Sequence, residues 1–151
     1  MTKSESSLIG TYSTSCVFGG QALHPFGSAM KAGDVDGAVD LLSDDVVFRS
    51  PIVFKPYRGR DAARVLLDAV SRVFEDFRYV REIGAPSARD HALVFEARIG
   101  DKQVEGSDFL HHDEHGLIDE LMVMVRPMSG ALALADAMKA QLASAQGSRE
   151  R

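Results

Sequence analysis

Apolar residues first recur at helical spacing just after residue 22. Their positions, which mark one face of a helix, are Leu23, Phe26, Ala29 and Met30. Gly33 then supplies a typical helix end, and Asp34 is a suitable N-cap for a second short helix. The apolar residues of that second helix are Val35, Ala38, Val39, Leu41 and Leu42. The pattern predicts a hairpin of two helices.

Two short runs of β-branched and aromatic residues follow, over 46–50 and 52–55. Pro51 separates them and Pro56 follows the second, so both are predicted as strands near a sheet edge. Apolar residues then occupy one face of a third predicted helix over 62–77, and this helix is expected to pack on a sheet.

The second half of the chain predicts a meander of strands. Four segments with alternating apolar residues are joined by short turns, and they cover 78–85, 91–99, 103–112 and 117–126. Such short connections join antiparallel neighbours. Pro127 ends the last strand, and apolar residues spaced along the following stretch predict a C-terminal helix. The order ααββαββββα indicates an α+β fold.

Length and charge narrow the function classes. A chain of 151 residues fits a single domain, predicted over 19–145, with a flexible N-terminal segment over 1–18 and a flexible tail over 146–151. The net charge is −5, and no basic track interleaved with aromatic residues is present, so nucleic acid is not an expected partner.

The remaining compositional features concern location and crosslinks. No apolar run approaches the ~20 residues that span a bilayer, and the N-terminus lacks a signal-peptide layout. We therefore expect a cytoplasmic protein with no membrane partner. Cys16 is the only cysteine, which excludes an internal disulfide.

Asp108 is the residue that most suggests chemistry. Strict alternation in the strand over 103–112 places Asp108 on the same face as Val104 and Leu110. A carboxylate on an apolar face loses hydration, so its pKa should rise and the neutral acid could donate a proton or hydrogen bond. A register error of one residue, or a structural salt bridge to an arginine, is the alternative.

Several blocks of the sequence resemble a known superfamily. The stretches 29–39 and 42–48, the pair Ser50-Pro51, the turn 57–60, and Asp108 with Gly116 are similar to ketosteroid isomerases and SnoaL-like polyketide cyclases. These form a branch of the nuclear-transport-factor-2-like superfamily. The resemblance implies a cone-shaped barrel, or cystatin-like roll, in which a curved antiparallel sheet wraps on the N-terminal helices, with an extra C-terminal helix.

The same resemblance implies where catalytic residues would lie. The tyrosine and the general base of ketosteroid isomerases fall on Phe26 and Ser50, whereas the protonated aspartate is retained as Asp108. Phe26 has no proton to donate and Ser50 is too weak a base, which disfavours steroid isomerisation. Limonene-type epoxide hydrolases need a further carboxylate where this chain has Val123. A SnoaL-like cyclase, which can act with one pocket acid, is the best catalytic match.

The predicted faces also suggest which residues line a ligand cavity. The apolar lining residues are expected to be Phe26, Met30, Phe48, Phe54, Val70, Phe74, Leu110, Val123 and Val125. Ser50 is included as a polar ligand contact. His24 is a secondary candidate that lines the mouth of the cavity or caps the first helix. An ordinary packed core is the alternative for the apolar set.

A metal site is not predicted for the cluster over 111–115. Adjacent strand residues such as His111 and His112 point to opposite faces, and a mononuclear site needs three or four convergent ligands. No cofactor is expected either. Met122 and Met124 make the second face of the last strand apolar, so we expect a homodimer through the outer face of the sheet.

Two hypotheses of function remain at this stage. The first is an acid/base isomerase, cyclase or hydrolase that uses Asp108 on a small hydrophobic molecule. The second is a non-catalytic domain for small-ligand binding or dimerisation, in which Asp108 at most orients a ligand.

Overall fold

The computed structural model of this chain describes residues 17–18 and 21–150, with side chains for residues 23–150. The elements are, in chain order, β1 (Val17–Phe18), β2 (Gln21–Ala22), α1 (Pro25–Lys31), α2 (Val35–Asp40), β3 (Leu42–Arg49), β4 (Tyr57–Arg58), α3 (Arg60–Val73), β5 (Glu75–Ile83), β6 (Asp90–Ile99), β7 (Lys102–His112), β8 (Ile118–Arg126) and α4 (Met128–Arg149). Most of the predicted N-terminal segment over 1–18 lies outside the described residues.

The helical hairpin forms as the sequence predicts, because both helices carry side-chain N-caps. His24 Nδ1 accepts a hydrogen bond from the Phe26 amide at 3.0 Å, and Pro25 occupies the first helical position. Asp34 Oδ1 accepts one from the Gly37 amide at 2.9 Å. The second helix ends at Asp40, so Leu42 begins β3 and is not helical.

The six-stranded sheet has the order β4-β3-β8-β7-β6-β5. Strands β5 to β8 form the predicted antiparallel meander. Strand β3, however, pairs with β8 in parallel, so the predicted curved sheet is mixed and not antiparallel throughout. The short loops of the meander dictate direction only between consecutive strands, and no loop joins β3 to β8.

The predicted strand over 52–55 is wrong. The second edge strand is β4, in which Tyr57 pairs with Phe48 of β3. Pro51 and Pro56 bracket the segment and lack amide donors, and Ser50 Oγ accepts hydrogen bonds from the amides of Ile52 (3.0 Å) and Val53 (3.4 Å). The segment is therefore held as a turn.

The third helix is shorter than predicted. It begins after Gly59, whose φ of 95° is accessible to glycine at little cost, and it ends at Val73. Phe74 and Phe77 therefore lie beyond the helix, and Phe77 belongs to β5. This changes the partners of the aromatic residues in this region.

The main core lies between the inner face of the sheet and the N-terminal helices. Its fully buried side chains include Phe26, Val39, Leu42, Leu93, Phe95, Leu110, Ile118 and Leu121. Helix α4 packs against α3, β7 and β8 and buries Gly130 and Leu134 against a second cluster that contains Val104. None of the helices in the described part of the chain is long and apolar enough to cross a bilayer.

Helix α4 continues to Arg149, so the first residues of the predicted tail over 146–151 are helical. The flexibility of this end stays a prediction.

Candidate functional site

A cavity of about 840 Å³ opens between the sheet and the helices. Its wall is mainly apolar and is built from α1, α3 and α4 on one side and from β3 and β5 to β8 on the other. Such a volume is in the range of sites for small molecules.

Most residues predicted to line a cavity do surround this one. They are Phe26, Met30, Phe48, Ser50, Val70, Phe74 and Val123, together with Asp108. Whether they contact a ligand stays a prediction. Their convergence follows from the helical and strand periodicities that were read from the sequence.

Four predicted placements are corrected. Phe54 is 101% exposed, because its segment is a turn and not a strand. Leu110 shares the strand face of Asp108 but is buried in the core beyond the cavity. Val125 packs partly buried against both core clusters. For His24, the alternative that it caps α1 is confirmed, and its place at the mouth of the cavity is corrected, since it is not part of the cavity wall.

Asp108 lies on the cavity wall at the middle of β7. It is only 8% exposed and is paired across the sheet with Leu93 of β6 and Val123 of β8. The Tyr79 hydroxyl donates a hydrogen bond to Asp108 Oδ2 at 2.8 Å. Within residues 23–150, Asp108 has no ion-pair partner and Oδ1 has no hydrogen-bond partner. The alternative of a structural salt bridge to an arginine is therefore not what the described residues form.

This environment shifts the protonation of both groups. Burial raises the pKa of Asp108 to about 7, while the hydrogen bond from Tyr79 acts in the opposite direction by stabilising the carboxylate. Burial, followed by the nearby charge of Asp108, raises the pKa of Tyr79 well above its usual value. Tyr79 is therefore a persistent donor, and Asp108 exchanges its proton near neutral pH.

Tyr79 is a candidate functional residue that the sequence reasoning missed. The assignment of Phe77 to a helix hid the alternation of Phe77 and Tyr79 on one face of β5, which was the available signal. The Tyr79 ring meets Phe77 edge-on with centroids 4.9 Å apart, and Phe77 in turn lies 5.0 Å from Phe95. These rings hold the Tyr79 hydroxyl toward Asp108 and surround the Asp108–Tyr79 pair with apolar atoms.

Ser50 lies at the cavity wall with a constrained hydroxyl. Its oxygen already accepts the two amide hydrogen bonds of the 50–53 turn. Those bonds use the lone pairs that a base would need, whereas its O–H can still donate. Phe26, 1% exposed, offers only its ring. Of the three positions at which the chain is compared with ketosteroid isomerases, only Asp108 therefore carries an ionisable side chain.

A second polar cluster lies outside the cavity wall. Side-chain nitrogens of His24, His91 and His112 all lie within 4.8 Å of one another. The three rings have centroid separations of 5.0 to 5.3 Å. Burial, then the neighbouring His112 and His91, lowers the pKa of His24 to about 4, so its imidazole is neutral at physiological pH. Sequence patterns could not predict this grouping, because the three residues are far apart along the chain.

The chain is similar to known proteins in sequence and in fold. The SnoaL-like domain family matches residues 25–121. A crystal structure of a steroid delta-isomerase from Pseudomonas aeruginosa is 40% identical over 80% of this chain and 88% of its own, with a TM-score of 0.76. A protein with a cystatin-like fold from Silicibacter pomeroyi is 35% identical over 80% of this chain and 87% of its own, with a TM-score of 0.74.

More distant structures share the fold alone. An epoxide hydrolase/cyclase-like enzyme of pyran ring formation in the polyether salinomycin is 17% identical over 69% of this chain and 86% of its own, with a TM-score of 0.56. None of the curated proteins matches this chain.

Proposed function

Because the chain belongs to the SnoaL-like family of the nuclear-transport-factor-2-like superfamily, we propose that it binds a small hydrophobic molecule in the cavity and acts on it through Asp108 as an acid. The observation that carries this proposal is the Asp108–Tyr79 pair, buried in a mainly apolar wall. Perturbed carboxyl groups in apolar cavities are enriched at sites of proton transfer.

The hydrogen bond from Tyr79 assigns different tasks to the two oxygens of Asp108. Oδ2 accepts the Tyr79 hydrogen, so the acidic proton of the neutral form is carried by Oδ1. That oxygen is the one able to donate to a carbonyl oxygen of a bound ligand. With the pKa of Asp108 near 7, the group is poised to give and to regain a proton around neutral pH.

Ring closure of an already activated, polyketide-like substrate is the reaction class that this single acid serves best. The enol form of the ligand supplies the electron pair for the new carbon–carbon bond, and Asp108 protonates the carbonyl oxygen that receives the charge. The enol O–H releases its proton as the new ketone forms, and this proton restores the acid. No second protein base is required by this balance.

Steroid isomerisation is less well supported, although a relative is described as a steroid delta-isomerase. That chemistry needs a base to remove a carbon-bound proton, and Ser50 with its occupied lone pairs cannot supply one at neutral pH. Phe26, which stands at the tyrosine position of ketosteroid isomerases, also provides no hydrogen-bond donor on the opposite wall. These two residues favour a second candidate, which is binding of the same ligand class without turnover.

The test combines binding with turnover. Binding is measured with 2-naphthol, an apolar two-ring molecule with one oxygen, by its fluorescence. Turnover is measured on linear aryl polyketones by mass spectrometry of ring-closed products. Asp108→Asn is the test variant, and Asp136→Asn is the matched control, because Asp136 is an exposed carboxylate on the same cavity wall.

Wild type and the Asp136→Asn control are expected to bind the probe and to form product at equal rates. Asp108→Asn should lower turnover by about 10²–10⁴-fold, the usual contribution of a general acid. Binding without any turnover would move the assignment to the second candidate. Absence of probe binding in wild type would overturn both.

A further inference from the structure

Three histidines converge where the start of α1 meets the ends of two strands. His24 precedes α1, His91 lies at the start of β6, and His112 ends β7. His24 Nε2 and His112 Nε2 are 3.0 Å apart. His91 is 8% exposed, whereas His24 and His112 are partly exposed, so solvent can reach the cluster from one side.

The hydrogen bonds of the rings define which nitrogens carry lone pairs. His91 Nε2 donates to the Ala88 carbonyl at 2.9 Å, and His112 Nδ1 donates to the Arg89 carbonyl at 2.9 Å. In a neutral imidazole the other nitrogen is then unprotonated. His91 Nδ1 and His112 Nε2 are therefore both electron-pair donors, and His112 Nε2 lies 3.0 Å from His24 Nε2 within the cluster.

His91 Nδ1 is a buried atom without a hydrogen-bond partner within the described chain. The nearest carboxylate oxygen, Glu82 Oε1, is 3.9 Å away, which is beyond hydrogen-bond reach. An unpaired buried acceptor is unfavourable unless something else occupies its lone pair. This unpaired nitrogen is a second observation, independent of the clustering, that points to a ligand-binding site.

We propose that His24, His91 and His112 form a binding site for a divalent transition-metal ion, Zn²⁺ in the first place. Imidazole nitrogens suit Zn²⁺, and three protein ligands leave a fourth tetrahedral position for water. With Zn–N distances of 2.0–2.1 Å, ligand nitrogens lie about 3.3 Å apart. The present separations, none above 4.8 Å, require only small side-chain movements.

The surroundings match those of metal-bound histidines. Such ligands commonly donate the second ring N–H to a backbone carbonyl, which fixes ring orientation, and Ala88 and Arg89 provide these carbonyls here. The half-buried carboxylate of Glu82 accepts a hydrogen bond from the His24 amide at 3.1 Å. Its negative charge next to His91 favours a cation in the cluster.

Of the three histidines, His24 is the one whose ring tautomer must change when a metal binds. Its Nδ1 accepts the Phe26 amide, so its proton sits on Nε2 and points toward His112 Nε2. Metal binding through Nε2 moves that proton to Nδ1 and ends the hydrogen bond from Phe26. The Phe26 amide therefore reports metal binding directly.

The metal would tie the start of α1 to β6 and β7 at a place separate from the Asp108 cavity, whose wall includes none of the three histidines. Metal binding should raise the melting temperature. The failure of this proposal would leave the acid chemistry of Asp108 untouched.

The experiment uses untagged, chelator-treated protein and ZnCl₂. The double variant His111→Gln/His115→Gln removes the other two of the five histidines, both of which are exposed or half-exposed. It should bind one Zn²⁺ per chain as tightly as wild type, measured by competition with a chromophoric chelator. The Phe26 amide signal should shift in the NMR spectrum.

His112→Gln, the partly exposed ligand, is the loss variant. It should bind Zn²⁺ at least about tenfold more weakly, since even loss of an outer-shell partner costs roughly 10–100-fold. A Zn²⁺ affinity unchanged in His112→Gln, lost in the double variant, or absent from wild type would overturn the site. If His112→Gln does not fold, the wild-type stoichiometry and the Phe26 shift still decide the question.

Discussion

The chemistry of Asp108 depends on one neighbour and on its burial. Tyr79 stabilises the ionised carboxylate, whereas desolvation opposes it and dominates. Removing the hydroxyl in Tyr79→Phe should therefore raise the pKa of Asp108 further above about 7. The measurement is the pH titration of the Asp108 carboxyl carbon by NMR.

Tyr57→Phe is the matched control for this variant. Tyr57 also lies on the cavity wall, so the Tyr57→Phe substitution removes a hydroxyl from the same cavity. This substitution should leave the pKa of Asp108 unchanged. A lower pKa in Tyr79→Phe would contradict the hydrogen bond as described.

Asp108 should also make stability depend on pH. Its folded pKa of about 7 exceeds the ~3.9 of an unfolded aspartate. Between these values the folded state holds a proton that the unfolded state has lost, so the free energy of unfolding falls as pH rises. Relative to Asp108→Asn, wild type should lose about 1.4 kcal/mol per pH unit over this window.

Urea denaturation of wild type and Asp108→Asn at several pH values measures this difference. Asp136→Asn, which alters an exposed carboxylate, should follow wild type throughout. A constant difference between wild type and Asp108→Asn from pH 4 to pH 7 would show that Asp108 titrates normally.

At the scale of single residues, the sequence predicted the place of Asp108 but not its hydrogen bond with Tyr79. Alternation along β7 is a local signal, and it placed the carboxylate on the apolar face correctly. Tyr79 lay within the predicted strand over 78–85, but the predicted helix extended to Phe77, so the face that Phe77 and Tyr79 share on β5 was not recognised. The histidine cluster depends wholly on tertiary folding.

At the scale of elements, helix α4 packs closely against β7 at Gly130. A Cβ at this position would lie 2.4 Å from Val104 Cγ1 of β7, which real contacts do not allow. Gly130→Ala should therefore destabilise the protein by roughly 1–3 kcal/mol through overpacking, although alanine favours helices. Thermal and urea unfolding give the value.

Gly147→Ala is the internal control, because it lies in the same helix with no atom within 4 Å of the added Cβ. It should be neutral or slightly stabilising by its higher helix propensity. Equal effects of the two substitutions would mean that α4 does not pack on β7 as described.

The elements that the sequence predicted well are those with local signals. Caps at Asp34 and periodic apolar faces marked the helices, and short loops marked the meander. The strand predicted over 52–55 failed because β-propensity was outweighed by two prolines and by the Ser50 turn. The parallel pairing of β3 with β8 was not predicted from the sequence, because it joins distant parts of the chain.

For the whole molecule, the outer face of the sheet offers an apolar patch. Phe109 and Met124 are 37% and 53% exposed, and Met122 lies directly across from Phe109. The ion pair of Glu105 with Arg126 lies close to this patch and is paired across the same two strands. We propose that a second copy of this chain covers the patch.

Met124→Glu should then convert a dimer to a monomer, because it buries like charges against each other in a symmetric contact. Sedimentation equilibrium measures the association. Leu132→Glu is the control, since Leu132 is an exposed apolar residue on α4, away from the sheet face. A monomeric wild type, or equal dissociation by both variants, would contradict the proposal.

The fold as a whole was predictable, whereas the shape of the cavity was only partly so. Periodicity brought Phe26, Phe74 and Val123 to one interior, but it could not separate cavity wall from packed core, which is why Leu110 and Val125 were misplaced. That distinction depends on how far the sheet curves away from the helices.

The most direct test of the proposed acid chemistry is the pKa of Asp108 in wild type, measured from its carboxyl-carbon NMR signal, which is assigned by comparison with Asp108→Asn. We expect a value of about 7, which would leave a protonated acid available to a ligand near neutral pH. A value at or below the ~3.9 of a free aspartate would mean a solvated or ion-paired carboxylate, and the proposed acid chemistry would fall.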